Sequence, residues 1–157
     1  MVTTIYDTEI PDEHLTVIGK VFLNWSLLEF ILTRIISSLL NVDYKTGRII
    51  TRTMNCAEKI KKIKGLAKHT QVENLTNLKE ILIKIDSARE KRNDIAHGVW
   101  AQDDDNNYYI VKYSHGKPQD PIKIKMPIGE LNSIYEEVKS ALGALMDWEH
   151  NFSHSRI

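Results

Sequence analysis

The sequence predicts an all-α fold, namely a four-helix bundle with a small β-hairpin inserted before the last helix. Three observations support this prediction. Apolar residues recur at steps of three and four along three long segments, alternating β-forming residues follow the third segment, and an amphipathic segment comes last. At 157 residues, of which 42% are hydrophobic and 27% charged, the chain is expected to form a single domain over 1–157.

The first long helix is predicted to begin at Pro11 or Asp12 and to run to about Leu40. Its apolar residues cover two sides, with Ile18, Phe22, Trp25, Leu32, Ile36 and Leu39 on one and Val21, Leu28 and Ile35 on the other. A helix that is apolar on two sides needs neighbours on both, from the same chain or from another subunit. Because polar and charged residues interrupt its longest apolar stretch, we interpret it as a buried helix and not as a membrane span.

Two further helices are expected before the β-forming region. One is predicted over about 45–68, and the other from about Val72 or Glu73 to His97. Gly98 directly follows, and we interpret it as the C′ glycine that ends the helix.

The β-forming residues lie in three runs, at 99–102, 108–113 and 122–126. An Asp- and Asn-rich turn separates the first two runs, so a small antiparallel sheet of two or three strands is expected. The final helix is predicted from about Gly129 to Trp148.

Charge is unevenly distributed although the formal net charge is zero. Residues 45–68 contain eight Lys or Arg and one acid, which favours phosphate binding there. RNA contact is expected from Arg52, Lys59, Lys61 and Lys62, and an ordinary solvated helix face is the alternative interpretation. The chain has one cysteine, Cys56, interpreted as a buried or half-buried thiol, and no recognisable signal peptide. Both observations favour a cytoplasmic location.

One segment, Arg92-Asn93-Asp94-Ile95-Ala96-His97, combines side chains that suggest chemistry. It places a permanent cation, an amide and an imidazole in the last turns of a predicted helix. A guanidinium stabilises the charge that develops on a phosphorane, and an imidazole titrates near neutrality, as a general acid–base group should. Since the ribose 2′-OH is an internal nucleophile, RNA cleavage by these groups needs neither a metal nor a covalent enzyme intermediate.

Helical geometry places Arg92 in the apolar stripe of its helix, and Glu29 interrupts the stripe of the first helix in the same way. An isolated buried charge is costly, so each needs a partner or a wet cleft. We therefore hypothesise that Glu29 supports Arg92 across packed helices. A purely structural ion pair is the alternative interpretation of Arg92, and a favourable cation at a helix C-terminus is that of His97.

His97 lies ~140° around the helix from Arg92 and ~7.5 Å further along its axis. One helix therefore does not easily direct both side chains at a single atom. A symmetry-related helix would bring a second copy of the motif opposite the first, which predicts a composite site across a dimer axis.

The motif resembles that of the HEPN superfamily, which has an Arg, a polar residue, three to five other residues and a His near the end of a helix. Asn93 takes the polar place here. The resemblance implies a HEPN-like bundle and a homodimeric, metal-independent endoribonuclease of a toxin–antitoxin or antiviral system. Arg92 would hold the scissile phosphate, and His97 would transfer protons at the 2′-OH or the leaving 5′-oxygen. Asn93 would orient His97 or the phosphate. The products would carry a 2′,3′-cyclic phosphate and a 5′-OH.

The same resemblance implies RNA and an antitoxin or other regulatory protein as partners, and no cofactor or metal. The sequence departs from some members at Val99, where those that pair with a nucleotidyltransferase antitoxin have a tyrosine for the partner to modify. Two alternatives stay open. One is a catalytically silent dimeric HEPN-like module that binds a protein or nucleotide ligand, and the other is the helical partner of a nucleotidyltransferase.

Overall fold

The structure is a computed structural model that describes residues 9–114 and 117–154. Over these residues it contains five helices, which are α1 Asp12–Leu40, α2 Tyr44–Thr51, α3 Cys56–His69, α4 Leu75–His97 and α5 Ile128–His154. Three strands, β1 Val99–Gln102, β2 Tyr108–Ser114 and β3 Lys117–Lys125, lie between α4 and α5. The predicted mainly helical fold with a small antiparallel sheet before the last helix is confirmed.

The single helix predicted over about 45–68 was wrong, because the chain forms two helices there. Asn55 starts α3 with a capping box: its side chain accepts from the Glu58 N–H at 3.0 Å, and Glu58 Oε2 accepts from the Asn55 N–H at 2.7 Å. Asp43 caps α2 by accepting from the Thr46 N–H at 2.9 Å. Each cap satisfies N–H groups that a new helix leaves unbonded, so the described chain has five helices instead of the predicted four.

The predicted β-hairpin is a three-stranded antiparallel sheet in the order β1-β2-β3. The turn between β1 and β2 is organised by Asp103, whose Oδ1 accepts from the backbone N–H groups of Asp105 at 3.0 Å and Asn107 at 2.9 Å. Asn106 adopts a left-handed φ of 61°, which asparagine tolerates better than most residues. This turn sets the register in which Val99 pairs with Val111.

Helix α4 ends at His97, as predicted, but the C′ interpretation of Gly98 was wrong. The φ of Gly98 is not in the left-handed region, and its N–H continues the helical pattern by donating to the Asp94 carbonyl at 2.9 Å. Glycine is required for space instead. A Cβ there would lie 2.0 Å from Ile110 Cγ2 and 2.7 Å from the Asp94 carbonyl oxygen. Strand β2 therefore packs directly against the end of α4.

The chain divides into two compact units. The first unit comprises Met1–Phe22 and Glu90–Glu136, and the second comprises Leu23–Arg89 and Glu137–Ile157. In the described part of the first unit the fully buried residues include Val21, Ile110 and Leu131; those of the second include Leu28, Leu32, Ile35, Ile63, Leu82, Ile85 and Leu145.

Among the described helices, α1 alone is long and apolar enough to cross a membrane on length and composition, which is also true of core helices in soluble proteins. Nine of its apolar residues are buried, namely Val17, Val21, Trp25, Leu28, Ile31, Leu32, Ile35, Ile36 and Leu39.

Candidate functional site

The Arg92–His97 motif lies at the C-terminal end of α4, in the first unit. The Arg92 side chain is half-buried, with its guanidinium carbon 4.8 Å from the centroid of the Phe22 ring. One of its terminal nitrogens donates to Asn93 Oδ1 at 3.3 Å. A cation over an aromatic face is stabilised by the ring quadrupole, so Phe22 helps to hold the arginine in place.

His97 is the last residue of α4, and its side chain is exposed. Arg92 is turned toward Phe22, and Asn93 contacts Arg92 through its carbonyl oxygen. The structure thus joins Arg92 to Asn93 and leaves the imidazole accessible at the helix end. An accessible imidazole can exchange protons with a bound substrate and with water.

The one acid in the motif, Asp94, is paired with a lysine of the sheet. Lys112 Nζ lies 2.7 Å from Asp94 Oδ1, and the two side chains are 39% and 25% exposed. The pairing offsets a negative charge that would otherwise repel a phosphate near Arg92. Lys112 is brought there by β2, which approaches the end of α4 closely at Gly98.

Sequence reasoning missed Lys112 and the contact between Phe22 and Arg92. Opposite charge was the available signal for Asp94 and Lys112, but these residues are 18 positions apart. Periodicity within one element does not give the register of a helix end against a strand, so their proximity could not be derived from the sequence.

Glu29 lies in the second unit, half-buried on α1, and its Oε1 accepts from the indole N–H of Trp25 at 3.1 Å. Its carboxylate also lines a cleft that contains four basic residues. Arg92 belongs to the first unit, and the pairing of Glu29 with Arg92 stays a prediction.

The four residues predicted to contact RNA are divided between two surfaces of the second unit. Arg52 and Lys59 line the cleft that contains Glu29, together with Lys45 and Arg48. Lys61 and Lys62 line a neighbouring depression beside Glu58 and Leu66, and Met54 lines both. Lys61, Lys62 and Arg52 are exposed, as a solvated helix face requires, but Lys59 is buried. The basic run therefore lines two adjoining depressions.

Cys56 is buried, as expected, and its surroundings do not activate it. Burial is the first cause that raises the pKa of this thiol to about 12, and the nearby Glu29 carboxylate is the second. A neutral thiol is a poor nucleophile, so Cys56 is not a candidate catalytic group.

Among residues 9–114 and 117–154, no group of three or more His, Cys, Asp or Glu side chains is placed to hold a metal ion. Comparison with protein-family models, with curated proteins and with solved structures finds no match to this chain.

Proposed function

We propose that this protein is a HEPN-like, metal-independent endoribonuclease that cleaves RNA by attack of the ribose 2′-OH, in a toxin or antiviral-defence system. One observation carries the proposal. A half-buried guanidinium, fixed by Phe22 and Asn93, lies five residues before an exposed imidazole at the end of the same helix. These are the two groups that phosphodiester cleavage by an internal nucleophile requires.

In the proposed reaction, His97 takes the proton of the 2′-OH or gives one to the leaving 5′-oxygen. Arg92 neutralises the charge that develops on the non-bridging phosphate oxygens. Asn93 orients the guanidinium to which it is hydrogen-bonded. The ion pair between Asp94 and Lys112 supports this assignment, because it offsets the one negative charge inside the motif.

The proposal includes a homodimer, since a second motif would supply His97 to the Arg92 of the first. Helix α1 supports it by exposing two leucines one turn apart, Leu23 at 74% and Leu27 at 41%. Neighbouring exposed leucines are typical of a surface that another subunit covers. RNA as substrate, an antitoxin or other regulator as partner and a cytoplasmic location belong to the same proposal.

The alternative is a catalytically silent HEPN-like module that binds a protein or nucleotide ligand. It is favoured by a ligand-sized cleft in the second unit, whose lining contains four basic residues.

RNA cleavage by the pure protein in excess EDTA distinguishes these two functions. We expect cleavage that leaves 2′,3′-cyclic phosphate ends, and a loss of ~10²–10⁴-fold in each of Arg92→Ala and His97→Ala. His69→Ala is the matched control, because His69 is also an exposed histidine in the last turn of a helix and lacks the motif. Absence of cleavage by the wild-type dimer on varied RNAs would overturn the enzymatic proposal in favour of the silent module.

Dimerisation is tested separately by sedimentation of Leu23→Glu. Leu23 is exposed, so this substitution should leave the helical circular dichroism unchanged while it converts dimers to monomers. A wild-type chain that sediments as a monomer would contradict the proposed assembly.

A further inference from the structure

The second unit contains a cleft of about 710 Å³ that the ribonuclease proposal does not use. Three helices and one connection form its wall: α1 contributes Glu29, Phe30 and Thr33, α2 contributes Tyr44, Lys45 and Arg48, and Arg52 and Lys59 complete it. Pockets for small ligands are usually ~300–1,000 Å³, so the cleft has the size of a small-molecule site.

The cleft is strongly basic. Its lining contains four cations, Lys45, Arg48, Arg52 and Lys59, against one carboxylate, Glu29. None of these cations makes an ion pair within 4.0 Å of a carboxylate in the described parts of the chain. A concave surface with unneutralised cations concentrates the positive potential and attracts an anion.

Lys59 is the most informative of the four, because it is a lysine with only 9% of its surface exposed. Its Nζ is not among the buried side-chain nitrogens that lack a hydrogen-bond partner, so the buried stem carries the ammonium to the solvent of the cleft. No carboxylate of the described residues pairs with it. An anion in the cleft would therefore meet an ammonium whose stem is already held in place by packing.

An aromatic pair lies next to these cations. The rings of Phe30 and Tyr44 have centroids 5.1 Å apart, and the two residues are 41% and 37% exposed. The ring planes are inclined by 57°, so a planar group of a ligand can stack on one ring while its edge meets the other.

The cleft depends on close packing of α2 against α1. A Cβ at Gly47 would lie 1.8 Å from Ser37 Oγ, so a larger residue there requires the Ser37 side chain to shift. Thr51, one turn after Gly47, is buried and donates to the Gly47 carbonyl at 2.9 Å. The break between α2 and α3 lets Arg52, in the connection, line the same cleft as Lys59, on α3.

The geometry points to a binding site for a small phosphomonoester that has an aromatic ring. In this arrangement the phosphate binds Lys59, Arg52 and Arg48. The aromatic ring of the ligand contacts Phe30 and Tyr44. The arginines suit a phosphate because a guanidinium can donate two parallel hydrogen bonds to its oxygens. A bound ligand would offset the excess positive charge that the folded cleft leaves unpaired.

A small ligand fits these observations better than an RNA chain. The four cations and the aromatic pair line one cleft of limited volume, whereas Lys61 and Lys62 line the adjoining depression, where Glu58 adds a negative charge that disfavours a phosphate backbone. A backbone track needs cations spaced along an open groove.

Isothermal titration calorimetry of the full chain with phenyl phosphate tests this inference. We expect saturable binding at one site per chain, about tenfold tighter than inorganic phosphate, and no binding of phenol. Lys59→Met and Arg52→Gln should each weaken phenyl phosphate by about tenfold or more. Arg52 is exposed, so its variant keeps the test valid even if Lys59→Met does not fold.

Lys79→Met is the matched control, because Lys79 is an exposed lysine of the second unit that does not line the cleft. Equal weakening by Lys79→Met and Lys59→Met, absence of saturable binding, or phenol binding as tightly as phenyl phosphate would each overturn the inference. The inference would also be overturned if phenyl phosphate failed to bind while an oligoribonucleotide without terminal phosphates bound in a way that required Lys59. Because no arm measures RNA cleavage, failure here leaves the ribonuclease proposal intact.

Discussion

The candidate sites of the two units differ in the feature by which each is recognised. In the first unit the Arg92–His97 motif supplies a recognisable set of functional groups, with one side chain half-buried against Phe22 and the other exposed at a helix end. In the second unit the basic cleft has a defined volume and four cations, but its residues form no recognisable motif. One site is identified by its functional groups, and the other by its cavity and charge.

This difference teaches that a motif and a cavity report separate properties. Spacing within one helix is visible in the sequence, so a catalytic pair on one helix is found early. A cleft formed by three helices depends on how they pack, so its cations look like an ordinary basic run until the fold is known. Testing the two sites independently shows which of them the protein uses.

The largest effect is expected at Cys56, and it measures how well the second unit excludes water. Burial, followed by the Glu29 carboxylate that also lines the cleft, raises the pKa of this thiol from 9.0 to about 12. At pH 8 the thiolate fraction should therefore be ~10³-fold lower in the folded protein than in the unfolded chain. The rate of modification by a chromogenic disulfide reagent, with and without urea, measures this ratio.

The same shift predicts how stability depends on pH. Above pH 9 the unfolded chain loses the thiol proton while the folded chain keeps it, so the free energy of unfolding should fall as the pH rises from 9 toward 12. Cys56→Ala should remove this part of the dependence. A native modification rate that reaches a plateau near pH 9 would show that the second unit is less closed than the cleft description requires.

The next prediction concerns the first unit and tests whether a second chain completes the Arg92–His97 site. If the site is completed across a dimer axis, a 1:1 mixture of exchanged Arg92→Ala and His97→Ala chains should recover about a quarter of wild-type cleavage, from the one intact composite site in each mixed dimer. Each variant alone should stay ~10²-fold or more below wild type. No recovery after verified subunit exchange would place Arg92 and His97 of one chain in the same site.

A third prediction compares the glycines on which the two sites depend. Gly98→Ala should destabilise by about 2–3 kcal/mol, because the new Cβ meets a stiff buried isoleucine and a backbone carbonyl. Gly47→Ala should cost nearer to ~1 kcal/mol, since the short Ser37 side chain is the obstacle. Urea unfolding measures both free energies. Because glycine inside a helix itself costs about 0.5–1 kcal/mol, the control is the cost of Gly47→Ala in a Ser37→Gly chain, which should be smaller than in the wild type. An equal cost in both would show that the contact between α1 and α2 is not limiting.

The smallest effects are expected at two ion pairs, one in each unit. Glu149 is 8% exposed and lies 2.8 Å from Arg34, so Glu149→Gln should lower the free energy of unfolding by about 1 kcal/mol. The Asp94 side chain is 25% exposed, so Asp94→Asn should cost below ~0.5 kcal/mol. The effect of each substitution should shrink in 1 M salt. A larger loss of unfolding free energy in Asp94→Asn than in Glu149→Gln would show that the first unit depends more on its ion pair than the exposure of Asp94 indicates.

Much of the secondary structure could be predicted because its signals are local. Pro11 marks the start of α1, alternation marks the three strands, and the Asp103 turn separates two of them. The break between α2 and α3 also had a local signal, Asn55 followed three residues later by Glu58, but the surrounding helix-forming residues hid it.

From the sequence came the three long helices, the strands, the candidate groups Arg92, Asn93 and His97, and the basic character of 45–68. Three contacts became visible only in the folded chain. Arg92 stacks on Phe22, Lys112 pairs with Asp94, and Lys59 lines the basic cleft. The difference lies in how far along the chain each interaction acts. Helix caps, turns and periodicity act over a few residues, whereas these contacts join positions far apart in the chain, and their geometry depends on the packing of whole elements.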